Sequence, residues 1–295
     1  MKKIVNFDKM FDKAMQSFID KNIGKYDEKT LENKVATLYE KFGNNVFDEL
    51  GGVCPNEYYK TFTAGEKVNA LIKSVETDIP VSDFLLEAII SDKDCEPKLV
   101  ALLDYGNEEL IMYAVNLLSD MGATSQLKKY IIMALTRSVC DDVLEILQEK
   151  LMENADIVRN ALLEAYPKMN EFSKAYFSAV LAECKIKDDR ILPILLDEFL
   201  IHPDNIPEYA NMIAKYDDER ALDTLYREIE REDIKYNDFV EIRFAIESLG
   251  GEYNKTRDFT NDPVYKKVRE QAKKDAEQTE KMFAPQDYIK KKLKK

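Results

Sequence analysis

The residue types with the most scope for chemistry in this sequence come back in register. Asp188-Asp189-Arg190 opens a stretch that runs to Leu200, and Asp218-Glu219-Arg220 opens a matching stretch to Ile229, 30 residues further on. Acids and arginines repeated at a fixed interval could form a charge ladder for a charged ligand. They are also what helix starts require. A carboxylate accepts the unsatisfied N–H groups of a first turn and sits favourably at the positive end of the helix dipole. Capping, with bonding between neighbouring repeats, is therefore the favoured role of Asp188, Asp189, Arg190, Asp218 and Arg220. A helical unit returning at a fixed period points to a stacked array and not to a globule with one central core.

Little else in the sequence could carry catalysis. His202 is the single histidine. General-base chemistry is open to an imidazole, but its place between two helical stretches, before Pro203-Asp204, reads as an exposed linker position. The 56 Asp and Glu residues make accidental carboxylate pairs inevitable; none stands out as an acid–base dyad, and they read as solvated faces. Cys54, Cys95, Cys140 and Cys184 lie 41, 45 and 44 residues apart, without the close ligand pairs that zinc sites use. They follow the repeat and read as small buried hydrophobes, compatible with a reducing cytosol. G-x-x-x-x-G-K-[ST], G-x-G-x-x-G and G-x-S-x-G are all missing. No catalytic, cofactor-binding or metal-ligating residue is expected, no cofactor is called for, and the chain is expected not to be an enzyme.

The elements that must position these residues are helices. Phe7, Met10, Phe11, Met15 and Phe18 mark one face of a helix over 4–22, and a second amphipathic helix follows over 27–42. Gly43, Gly51, Gly52 and Pro55 break the pattern over 43–62. That irregular segment carries Phe47, Tyr58, Tyr59 and Phe62, and long irregular segments often carry function. Thr63 and Glu66 fit a capping box for the next helix. Short helices are then predicted over 82–91, 96–105, 107–121, 125–138, 141–153, 155–168, 172–185, 188–201, 205–215, 217–231 and 236–249. Ser82, Asn107, Ser125 and Asp141 are the expected N-caps. Pro193 falls in a first turn, where it removes no helical hydrogen bond. Asp262-Pro263 starts a last helix to about 282, stopped by Ala284-Pro285 and followed by a Lys-rich end over 290–295.

These segments resemble HEAT-like repeats. Asn107–Gly122, Asp156–Tyr166 and Phe239–Gly250 are similar to the A helix of that family, "V-R-x-x-A-x-x-A-L-G". Asp189-Arg190-Ile191-Leu192-Pro193-Ile194-Leu195 is similar to its B helix, "D-x-R-x-V-P-x-L". The resemblance covers roughly 82–250 and implies an all-α fold, an α-solenoid in which helical pairs wind into a right-handed superhelix. Alternation counted from 107 makes 155–168 a B helix although its residues resemble an A helix, so a helix inserted or irregular near 125–153 is expected. The domains expected are a helical N-terminal region over 1–80, the array over 81–250, and a C-terminal capping helix with a basic tail over 251–295.

In the family, B helices line the concave face. Arg190 and Asp197 on one B helix, and Arg220, Asp223, Thr224, Arg227 and Arg231 on the next, then form a mixed-charge stripe opposite the core positions Ala221, Leu222, Leu225 and Ile229. With Tyr58 and Tyr59, favoured residue types at interfaces, they are the candidate partner-binding residues. The function this implies is a cytoplasmic, non-enzymatic scaffold or adaptor that holds a protein or peptide on the concave face.

Charge shapes the partner. The net charge is −13, divided into −19 over 1–263 and +6 over 264–295, so a partner with a basic patch is expected. Nucleic acid is disfavoured by the acidic array, and HEAT-like DNA glycosylases typically use Trp, which this chain lacks. HEAT-type enzymes with dinuclear iron rely on His-Glu pairs, also missing here. The alternative enzymatic class is that of HEAT-like lyases acting on bilin chromophores, which a deep aromatic-lined pocket would favour. No signal-peptide core follows Met1 and no apolar run could span a bilayer, so no membrane association is expected.

Overall fold

The structure, a computed structural model, describes residues 3–22, 25, 26 and 28–283. The chain is all-α: among the described residues there are sixteen α-helices and no strand. The first stretch contains α1 (Phe7–Lys21), α2 (Glu28–Asn44), the single turn α3 (Pro55–Tyr58) and α4 (Ala64–Glu76). Then follow α5 (Asp83–Ile90), α6 (Glu96–Leu102), α7 (Glu108–Asp120), α8 (Leu127–Thr136), α9 (Asp141–Glu153) and α10 (Ala155–Ala165). The last are α11 (Glu171–Ala182), α12 (Ile191–Ile201), α13 (Ile206–Tyr216), α14 (Leu222–Ile229), α15 (Tyr236–Ser248) and α16 (Pro263–Phe283). None of these helices is long and apolar enough to cross a membrane. The expected stop at Ala284-Pro285 and the Lys-rich end lie outside the described residues.

Local chemistry explains the helix starts. Thr63 and Glu66 form the full capping box before α4. Asn107 Oδ1 accepts from Leu110 N at 3.1 Å. Asp262 Oδ1 accepts from Val264 N and Tyr265 N, with Pro263 as the first helical residue. Two expected caps are corrected, while Ser82 keeps its place. Ser82 sits at the cap of α5 but its hydroxyl makes no capping bond. Ser125 precedes the cap position, Gln126, and its hydroxyl donates to Glu96 at 2.6 Å. Asp141 is already helical and accepts from Arg137 at 3.0 Å. The stretches expected over 188–201 and 217–231 begin late because Asp188 and Asp218 each take the N–H of the arginine two residues on, at 3.0 and 3.1 Å. These local rings tighten the entry, and a 3-10 turn over Glu219–Ala221 precedes α14.

Contacts divide the chain into two compact units, Met1–Leu151 and Met152–Lys295, with the division inside α9. In the first unit, α4 and α6 pack together, α5 and α7 pack together, and α4 and α6 cover α5 and α7 in turn. In the second, α11, α13 and α15 form one row, with α12 against α11 and α13, and α14 against α15. Hydrogen bonds join α10 to the entry of α12: Arg190 donates to Asn160 Oδ1 at 3.2 Å, and Asp156 accepts from Ile186 N at 2.9 Å. Both α8 and α9 are regular helices.

Aromatic rings close the second unit. Tyr236, Phe239, Tyr253, Phe259 and Tyr265 meet edge-on or tilted, with centroids 5.0 to 6.5 Å apart. The strap between α15 and α16 reaches them by passing close under α14, where the Tyr226 hydroxyl bonds both backbone groups of Glu252. A Cβ on Gly251 would meet Tyr226 Oη at 2.7 Å, Ile246 Cγ2 at 2.8 Å and Leu222 Cδ2 at 2.9 Å. Gly251→Ala is expected to destabilise the second unit by about 1–3 kcal/mol, the usual cost of overpacking, read as a lowered urea midpoint at constant slope.

Candidate functional site

The Asp-x-Arg residues are brought together, and they are occupied. Arg190 Nη2 meets Asp188 Oδ2 at 2.8 Å and Arg190 Nε meets Asp188 Oδ1 at 2.9 Å. Arg220 repeats the arrangement on Asp218, at 2.7 and 2.9 Å. Each arginine then reaches back about one helical pair: Arg190 to Asn160, and Arg220 to Asp189 at 2.9 Å. A planar guanidinium with five donors suits such a two-way link. Alongside, Arg159 donates to the Ile186 carbonyl at 3.0 Å, and Lys187 donates to the Tyr216 and Asp217 carbonyls at the end of α13. The Tyr216 hydroxyl both donates to Asp188 O and accepts from Asp188 N. These bonds show Asp188, Arg190, Asp218 and Arg220 as couplers between neighbouring helical pairs.

The rest of the expected stripe is uneven. Asp197, Asp223 and Arg227 are exposed. Thr224 is not part of an exposed stripe: it is buried, at 8% exposure, beside Leu225, and its hydroxyl accepts from Arg227 at 3.1 Å. The core face of α14 is wider than its apolar residues suggest, because a threonine paired to a long arginine can be covered. Arg231 is half-buried between Glu228 and Asp233, at 3.2 and 2.9 Å.

The tyrosines of the irregular segment hold that segment down. Tyr59 is buried, and burial pushes its hydroxyl up to about 12, so it offers no surface to a partner. Tyr58 is half-buried; its hydroxyl donates to Lys3 O at 2.8 Å and its ring meets those of Phe7, Tyr59 and Phe62.

Sequence reasoning missed a buried polar cluster. Glu198, 3% exposed, accepts from the Tyr166 hydroxyl at 2.8 Å, and that hydroxyl lies 3.1 Å from Ser178 Oγ. The second oxygen of Glu198 faces His202 Nε2 at 3.1 Å, and the imidazole stacks on Tyr209 at 5.4 Å. His202 is therefore half-buried and engaged, not an exposed linker residue. The signal was present as the i, i+4 spacing of Glu198 and His202 across the end of α12. The cluster ties α12 to α13 and, through Ser178, to α11. Burial raises the Tyr166 and Tyr209 hydroxyls above the ordinary tyrosine range, Tyr209 to about 12. Cys95 and Cys184 are buried with thiols pushed up to about 11, whereas Cys54 and Cys140 are half-buried. Among the described residues, no group of three or more His, Cys, Asp and Glu could hold a metal ion.

The second unit has a groove on its other row of helices. A cavity of about 410 Å³ opens among α11, α13 and α15. Met152, Ala179 and Met212 give it an apolar lining, and Asn211 lies on the same face of α13. Lys215 at its edge is paired to Glu183 at 2.5 Å, so Glu208 and Glu241 set the sign of the rim. Large apolar side chains are exposed on the same helices: Phe172 on α11, and Val240 and Phe244 on α15, with Phe244 one turn from Glu241 and 55% exposed. No protein-family model matches this chain, nor does any curated protein or solved structure.

The couplers carry a pH signature. Hydrogen bonds from Arg190 hold the Asp188 carboxyl well below the usual carboxylate range, and those from Arg220 do the same for Asp218. A carboxyl depressed on folding adds stability above its unfolded pKa of about 3.9, lost as pH falls toward the folded value. The urea midpoint is expected to drop below about pH 4, and Asp188→Asn with Asp218→Asn is expected to flatten that decline while lowering stability at pH 7.

Proposed function

We propose that this protein is a non-enzymatic interaction scaffold whose helical pairs form an α-solenoid similar to HEAT-like repeats, and that it binds a protein segment in the groove of the second unit. The observation that carries this reading is the apolar groove on α11, α13 and α15, with exposed aromatic residues on the same helices and an acidic rim. Two lining methionines suit an adaptable apolar contact, because an unbranched thioether repacks around different shapes. Contiguous exposed apolar surface rimmed by polar groups marks interaction sites. Glu208 and Glu241 favour a segment that carries Lys or Arg beside its apolar residues, in keeping with the acidic array.

The proposal moves the binding surface away from the Asp-x-Arg helices, since Arg190 and Arg220 are engaged with their neighbours. It places the protein in the cytoplasm, where four free cysteines are at home. The test uses tagged full-length protein as bait in the native organism. Wild type is expected to retain a reproducible partner, released by rising salt. Phe244→Ser with Glu241→Lys is expected to lose it by at least about tenfold, the scale of removing one hot-spot contact. Asp197→Lys with Arg227→Glu is expected to leave it bound. Loss with the second pair and retention with the first would return the interface to α12 and α14 and reject the groove.

A further inference from the structure

The irregular segment that closes the first unit builds something besides its aromatic core. Its Asn56 and Lys60 form one side of a half-enclosed cavity of about 470 Å³, completed by Lys67 of α4, by Phe84 and Glu87 of α5, and by Asp92 and Lys93 beyond it. That volume falls within the range of small-molecule sites, roughly 300–1,000 Å³. The segment is placed by close backbone approach: a Cβ on Gly43 would meet Asn56 Oδ1 at 2.8 Å, and Asn56 Nδ2 donates to Asn44 Oδ1 at 3.1 Å. Phe84, buried against Phe7, Tyr39 and Phe42, gives the cavity a rigid apolar base.

Lys67 is the unusual member. It is 6% exposed, and lysines are almost never this buried without a reason. Its ammonium has three N–H donors, and among the described residues Asp92 accepts from it, at 2.7 Å. A buried cation with one acceptor still has donors to satisfy, and leaving them unmet costs free energy. Lys60 and Lys93 stand exposed at the rim above it. Lys60 meets Glu57, at 2.7 Å, in a solvated pair that holds it only weakly. Three lysines thus line one cavity, beside Glu87 and Asp92, in a chain whose net charge is −13. Glu87, at the same rim, asks for a donor on whatever enters.

We infer that this cavity binds a small anion bearing phosphate or carboxylate groups and at least one hydroxyl. Its acidic oxygens meet the Lys67 ammonium at the base and those of Lys60 and Lys93 at the rim, while the hydroxyl faces Glu87. Charge-assisted bonds to a partly dry site are the strong ones, and the half-enclosed walls select a small molecule over a polymer. The site lies within the first unit and is independent of the groove in the second.

The test titrates full-length protein with inorganic phosphate and, separately, with citrate, each against sodium chloride at matched ionic strength. Thermal unfolding and backbone amide shifts are the readouts. A saturable rise in unfolding temperature with either anion, and saturating shifts at residues 60, 67, 87 and 93, are expected; which anion saturates tells phosphate from carboxylate. Lys60→Gln with Lys93→Gln changes two exposed side chains and is expected to unfold at the wild-type temperature without anion. It is expected to lose at least about tenfold in affinity, the scale of one charge-assisted hydrogen bond. Saturation by neither anion, or equal affinity in the double variant, would overturn the site.

Discussion

Every helix ends with four carbonyl groups that its own backbone cannot satisfy, and the second unit depends on where those groups find partners. An array of short helices multiplies the problem, because each pair adds two more ends. This chain answers it with long cations sent from one pair to the next. Lys187 bonds the Tyr216 and Asp217 carbonyls at the end of α13, and Arg257 bonds the Glu230 and Arg231 carbonyls just past α14. In the first unit Lys129 bonds the Val100 carbonyl in the last turn of α6 and continues to Asp104 at 2.5 Å. A cation is also the charge that the negative end of a helix favours. These partners lie 25 to 30 residues apart in the sequence, so each bond joins segments that are not consecutive.

The same constraint sorts the surface. In the second unit the entries to α12 and α14 carry the bonding traffic, so their arginines and aspartates are held by neighbours within a few ångströms. The row of α11, α13 and α15 takes part through α13, where Lys187 bonds the last carbonyls and Lys215 pairs with Glu183. Its side chains are joined mainly by apolar packing, and there the groove and the exposed Phe172, Val240 and Phe244 occur. Between the two rows, Glu198 fastens Tyr166, Ser178 and His202 into a buried polar cluster. Such a cluster costs desolvation and returns a single fixed arrangement of helices only when its members are bonded, as these are.

Much of this was legible in the residues. Apolar periodicity placed the helices from 82 to 249 within a few residues, because a 3.6-residue stripe is a local property. Thr63-Glu66 and Asp262-Pro263 were readable for the same reason: their bonds close within one turn. What could not be read depends on contacts distant in the sequence. Thr224 looks like a surface residue until Arg227 is seen folded over it. Lys67 looks like any helical lysine, and Asp92, 25 residues on, is what allows it to be buried. His202 looks like a linker residue, and Tyr209 gives it a stacking face. Tyr58 and Tyr59 both meet the rings of Phe7 and Phe62, yet Tyr59 is buried and Tyr58 half-buried, a difference that two adjacent identical residues cannot announce. The apolar pattern of α10 does not say which neighbour it bonds; Asn160 and Asp156 tie it to the entry of α12.

The central claim is that Asp188 and Asp218, with their arginines, couple successive helical pairs and do not serve only to start two helices. Native-state hydrogen exchange on Asp218→Asn tests it most directly, with Asn retained as a competent N-cap. Coupling predicts that amides of α12, one pair away, lose protection together with those of α14. Loss confined to the first turn of α14, with α12 unchanged, would contradict it.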